Sequence, residues 1–130
     1  MNRRTLREHV FKMLFSVDFY PSEEADEQLQ SYLEDQVANE EDHQELMQRT
    51  ISVLEKIPEL DKLIEDNTEG WKIQRIGKAE LNLLRLAVFE MKFDENVPDK
   101  VAINEAVELS KKYGADEAPS FINGVLAKLV

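Results

Sequence analysis

The sequence predicts an all-α fold of about seven helices in two small packed bundles. Apolar residues recur every three or four positions through most of the chain, and no stretch alternates as a half-buried strand would. Polar, proline or glycine punctuation separates these runs at lengths suited to short bundle helices. With 42% apolar residues, a chain of 130 can bury one domain, or two subdomains that share a core. We therefore expect a single domain over 1–130, with subdomains over about 1–68 and about 69–130.

The chain opens with Asn2-Arg3-Arg4 and then Thr5-Leu6-Arg7-Glu8, whose Thr-x-x-Glu spacing predicts a capping box and a helix start near Leu6. Leu6, Val10, Leu14 and Val17 form one apolar stripe, with Phe11, Phe15 and Phe19 beside it, and Tyr20-Pro21 ends the run. Arginines at a helix start oppose its dipole by about 0.3 to 1 kcal/mol each, so stability does not select them. Guanidinium groups do bind phosphate oxygens in a bidentate fork.

Ser22, followed by Glu23-Glu24 and Asp26-Glu27, predicts a second helix with Ala25, Leu29, Tyr32, Leu33 and Val37 inward. Asp42-His43-Gln44-Glu45 repeats the capping arrangement before a third, with Leu46, Thr50, Ile51 and Leu54 inward. Pro58 opens a short fourth helix carrying Leu60, Leu63 and Ile64. Asn67-Thr68-Glu69-Gly70 is the clearest break, and the subdomain boundary is expected there.

Residues 77 to 93 are apolar almost all round, leaving a narrow polar strip at Lys78, Asn82 and Arg85, so this fifth helix belongs in the core. A sixth runs within Asp99 to Tyr113, with Val101, Ala106 and either Leu109 or Val107 inward, and Gly114 is expected to supply a left-handed stop. The seventh begins around Pro119 and carries Phe121, Ile122, Val125, Leu126 and Leu129. Asn123-Gly124 has helical flanks, which rules against a hairpin turn there. Gly124 inside a helix costs up to about 1 kcal/mol against alanine, and close packing is its expected reason.

Charge is segregated. Residues 1 to 20 hold four basic and two acidic groups, residues 21 to 70 three and sixteen, and residues 71 to 130 nine and nine. The net charge of −11 therefore comes from the middle of the chain, and a basic patch at either end remains compatible with it. The absence of cysteine excludes thiolate metal sites and disulfides and fits a reducing compartment, the cytoplasm. No run suits a membrane span or a signal peptide. There is no phosphate-binding glycine loop, no His-Glu-x-x-His and no nucleophile with a base partner, so neither enzyme chemistry nor a cofactor or metal is expected.

The residues together resemble a known family. Arg-Arg-x-x-Arg-Glu opening an aromatic helix, Trp71 with Arg75, Leu84 to Glu90, Val101 to Leu109 with Tyr113-Gly114, and Phe121-Ile122-Asn123-Gly124-Val125-Leu126 are similar to the transcription antitermination factor NusB family. The resemblance implies a non-catalytic RNA-binding factor. It would pair with the ribosomal protein NusE, bind the boxA element of nascent ribosomal RNA, and join the antitermination complex on RNA polymerase, with no DNA or membrane partner. It also implies RNA contacts from Arg3, Arg4, Arg7, Lys111, Lys112, Tyr113, Ser120 and Phe121. Cations for phosphate and flat rings for splayed bases are what single-stranded RNA requires. Ser120 stands where relatives often carry a basic residue. The rival reading is an acidic interaction module that binds a basic protein without RNA.

Overall fold

The computed structural model describes residues 1–130, and every regular element is helical. The chain divides into two compact units, Met1–Leu54 and Glu55–Val130. The break expected near residue 68 sets the fourth helix with the first unit, whereas its packing is on the fifth helix in the second.

The first unit contains α1 (Arg3–Val17), a 3-10 turn at Ser22–Glu24, α2 (Ala25–Gln36) and nearly all of α3 (Glu41–Glu55). Helix α1 starts three residues before the predicted point. Asn2, not Thr5, is its cap, and the Asn2 side chain accepts from the Thr5 amide at 2.8 Å. Thr5 is thereby drawn inside the first turn, together with Arg3 and Arg4. Ser22 likewise caps no helix through its side chain, and α2 follows from the 3-10 turn instead. Asn39 takes the capping role predicted for Asp42, accepting from the Glu41 amide at 3.0 Å. Leu14, Leu29, Leu33, Leu46 and Val53 are buried, and Thr50 Oγ1 donates to Met13 Sδ at 3.7 Å, which joins α3 to α1.

Both histidines are structural. His9 Nδ1 lies 2.7 Å from the Tyr32 hydroxyl, linking α1 to α2, and His43 Nε2 lies 2.7 Å from the Val37 carbonyl.

The second unit is built around α5 (Lys78–Phe93), in which ten consecutive residues from Leu81 to Glu90 are buried. Packed on it are α4 (Ile57–Asp66), α6 (Asp99–Tyr113) and α7 (Ala118–Ala127), and a 3-10 turn at Ile73–Arg75 leads into it. Of the predicted polar strip only Lys78 is exposed. Asn82 and Arg85 are buried, and Arg85 grips Asp61 of α4 with both Nε and Nη2 at 2.8 Å. The arginine carries the charge it needs to dock a second helix, so this part of the polar strip is a packing seam.

Two further expectations change. Val101 points outward, 42% exposed, while its neighbours Ala102 and Ile103 fill the interior. Gly114 has φ −97, which is not left-handed. Its requirement is space, since a Cβ there would sit 2.5 Å from the Ala118 Cβ and 2.9 Å from the Ser110 carbonyl. No helix of the molecule is long and apolar enough to cross a membrane.

Candidate nucleic-acid interface

In the second unit, the sequence-predicted residues gather at the turn from α6 to α7. Lys111 and Lys112 occupy the last turn of α6, where their charge also complements the helix dipole, so part of their role is structural. Lys111 pairs with Glu108 at 3.0 Å on the exposed surface. The Lys112 ammonium lies 5.3 Å from the centre of the Tyr113 ring, close enough for a cation–π contact. Gly114 follows, and the turn is then clasped from α5, where Glu80 Oε2 accepts from the Ala115 amide at 2.9 Å. Ser120 is exposed in the first turns of α7, and Phe121 beside it is half-buried.

Phe121 has an aromatic partner that periodicity does not reveal. Trp71, in the segment before α5, lies with its ring centre 6.0 Å from that of Phe121 and is 52% exposed. The two rings line a pair of adjoining cavities of about 290 and 500 Å³. The smaller one continues along α7 past Gly124 to Lys128, whose ammonium meets Glu69 at 2.8 Å. That contact holds the Glu69 carboxyl below the usual carboxylate range. Gly124 is not packed against a neighbouring helix, as expected from sequence. A Cβ placed there would meet nothing within 4 Å, so the glycine leaves the cavity open.

In the first unit, Arg3 and Arg4 are exposed in the first turn of α1, and no acidic residue shares that turn. Arg3 makes a loose contact with Glu45 at 3.5 Å, both side chains being more than half exposed. Arg7 differs from the open arm expected of it, because at 8% exposure it is buried. Its spacing explains this, since Val10, Phe11 and Leu14 follow it by three, four and seven residues and share its buried face of α1. A cavity of about 220 Å³ beside Arg3 is also lined by Arg49, one of only three basic residues in the acidic middle of the chain. The wide sequence gap between Arg3 and Arg49 hides that neighbourhood from any linear reading.

No group of three or more histidine or carboxylate side chains could hold a metal ion. Comparison with known proteins identifies the family. The NusB family model matches residues 4–130. The chain belongs to the NusB family. The transcription antitermination protein NusB of Agathobacter rectalis is 48% identical over 130 residues, covering 98% of both chains. Among solved structures, T. maritima NusB superimposes with a TM-score of 0.88 at 31% identity, over 99% of this chain and 90% of that one. A crystal structure of antitermination factors NusB and NusE in complex with dsRNA matches with a TM-score of 0.83 at 28% identity, over 98% and 94% of the two chains. NusB proteins are antitermination factors and not enzymes, and the all-helical architecture described above is theirs.

Of the residues that sequence singled out, the structure brings Ser120 and Phe121 to a cavity rim and sets Lys112 against Tyr113. Trp71, Gly124 and Lys128 join Phe121 there. The sequence marked Trp71 as part of the family resemblance and by its place just after the Thr68-Glu69-Gly70 break, but gave it no binding role.

Proposed function

We propose that this NusB-family chain binds single-stranded boxA RNA of nascent ribosomal transcripts together with NusE, and so takes part in the antitermination complex on RNA polymerase in the cytoplasm. The observation that carries this reading is the side-chain chemistry around the turn from α6 to α7, where a lysine lies on a tyrosine ring and folding brings Trp71 against Phe121, these groups facing solvent at least in part. Such a set offers cations to phosphate and flat faces to splayed bases. Lys111, Lys112, Tyr113, Ser120 and Phe121 are its RNA contacts in the second unit. Arg3 and Arg4 are exposed phosphate contacts in the first, with Arg7 adding its charge from the second turn.

The likeness to a NusB that was crystallised with NusE and RNA supports the same assembly here. The strongly acidic segment from 21 to 70 repels phosphate and suits dependence on a basic protein partner. The test is a binding titration with a boxA-containing single strand, with and without NusE. Binding should tighten with NusE and weaken as salt rises. RNA left unbound even with NusE present would sink this reading in favour of the protein-only module.

A further inference from the structure

Three features of the second unit each cost something and receive no return from packing. Trp71 holds an indole half in water. Gly124 weakens the middle of α7 relative to alanine, although a methyl group would fit there with nothing within 4 Å. Glu69 adopts φ +55, a left-handed conformation that non-glycine residues rarely take, and Gly70 follows at φ +96. All three features border the same cavity of about 290 Å³. Backbone strain of this kind persists where surrounding structure over-determines it, and it concentrates at ligand-binding places.

The surrounding structure does over-determine it. Thr68 is buried, and its Oγ1 lies 2.7 Å from the Trp71 carbonyl and 3.0 Å from the Glu65 carbonyl, sharing its proton between them. Glu65 Oε2 accepts from the Ile73 amide at 2.9 Å. The Glu69–Lys128 pair bridges this turn to the end of α7. Trp71 is therefore presented by a fixed turn, with its backbone fastened on both sides while its indole stays open.

We propose that Trp71 is a nucleobase-stacking residue, and that the groove between it and the bare backbone at Gly124 is a slot for one flipped-out base of the RNA. The inference rests on the RNA-binding reading above and adds a contact to it. A cavity this small, at the low end of the roughly 300–1,000 Å³ of ligand clefts, takes one ring system and not a partner helix. The indole supplies the stacking face, and Phe121, tilted 53° to it, closes the rim next to the contacts already assigned. Lys128 sits at the far end of the slot, where it can exchange Glu69 for the phosphate that follows the stacked base. Polar groups of Asn67 and Ser120 in the lining suit the edge of a base.

The test uses the full chain with NusE and a boxA-containing single-stranded oligonucleotide. Trp71 is the only tryptophan of the chain, so its emission reports the slot directly. Saturating RNA should quench it, and NusE alone should not. Trp71→Ala should weaken RNA binding about tenfold, as expected for loss of one base–aromatic stack, while Trp71→Phe keeps most of the affinity. Gly124→Leu, which fills the slot from an open position on α7, should give a similar loss with an unchanged helical circular-dichroism spectrum. If RNA binds and both Trp71→Ala and Gly124→Leu bind it as tightly as the unaltered chain, the slot is wrong and the RNA-binding reading stands. If NusE alone quenches the emission, Trp71 is a protein contact and the slot is equally wrong. If the unaltered chain with NusE binds no RNA, the underlying reading fails and takes the slot with it.

Discussion

The two units carry different kinds of patch. In the first, the exposed chemistry is guanidinium charge, with Arg3 and Arg4 in the opening turn of a helix and no acidic residue in that turn to offset them. In the second, charge is mixed with rings, with Lys111 and Lys112 at the end of α6, Lys112 over Tyr113, and Trp71 against Phe121. Phosphate contacts give long-range, sequence-independent and salt-sensitive affinity, whereas stacking is short-range and little affected by salt. Under the proposed function, the first unit would contribute charge alone, whereas the second would add stacking to its lysines.

That division is best attacked from the charged side. Changing Arg3, Arg4 and Arg7 together to Glu should cost about a hundredfold in RNA affinity and flatten the slope of log K against log salt by about two, near 0.7 for each phosphate no longer neutralised. An unchanged slope, measured by titration across a salt series, would show that the arginines touch no phosphate. A smaller effect of a different character is expected in the second unit. Phe121→Ala should weaken binding about tenfold while leaving the salt slope as it was, because it removes a ring and no charge. If its slope falls as well, the two units do not divide the work in this way.

The smallest effect concerns the folding of the first unit alone. Burial, and after it the charge of Lys12, holds His9 below the 6.5 of an ordinary histidine, against weaker opposition from Glu8 and Asp42. The folded chain thus binds this proton less readily than the unfolded one. Stability from this source is complete above the ordinary histidine range and is lost as pH falls from there towards the depressed value. Thermal unfolding followed between about pH 7.5 and about pH 5.5 should show a modest acid loss, smaller in His9→Gln. A loss of equal size in both proteins would remove His9 as its cause.

The helices were legible because each has a buried stripe at helical spacing. The predicted fifth and sixth helices, over 77 to 93 and within Asp99 to Tyr113, agree closely with α5 and α6. What sequence concealed was decided by partners distant in the chain. The partner of Arg85 was hidden because Asp61, 24 residues earlier, is what receives it. Gly114 looked like a left-handed stop because its true constraint, Ala118 pressing from the next helix, exists only after the turn has formed. Gly124 misled in the opposite direction, since a glycine in an apolar helix suggests crowding and here it borders open space. Arg7 was taken for part of an open arm by its charge, although its spacing to Val10, Phe11 and Leu14 sets it on the buried face of α1. The candidate site was legible where its residues are neighbours in sequence, from Lys111 to Phe121, and illegible at Trp71, which only folding brings to them.

The clasp of Glu80 on the Ala115 amide has a consequence for recognition. Crowding at Gly114 and that tether together set the spacing between Tyr113 and Phe121 before any ligand arrives. The turn acts as a ruler with two fixed marks. If RNA contacts both rings as proposed, the strand would have to conform to that interval, and the entropic cost of ordering would fall on the flexible RNA. Selectivity would then include the backbone length between two contacted nucleotides, a property that no single side chain reads.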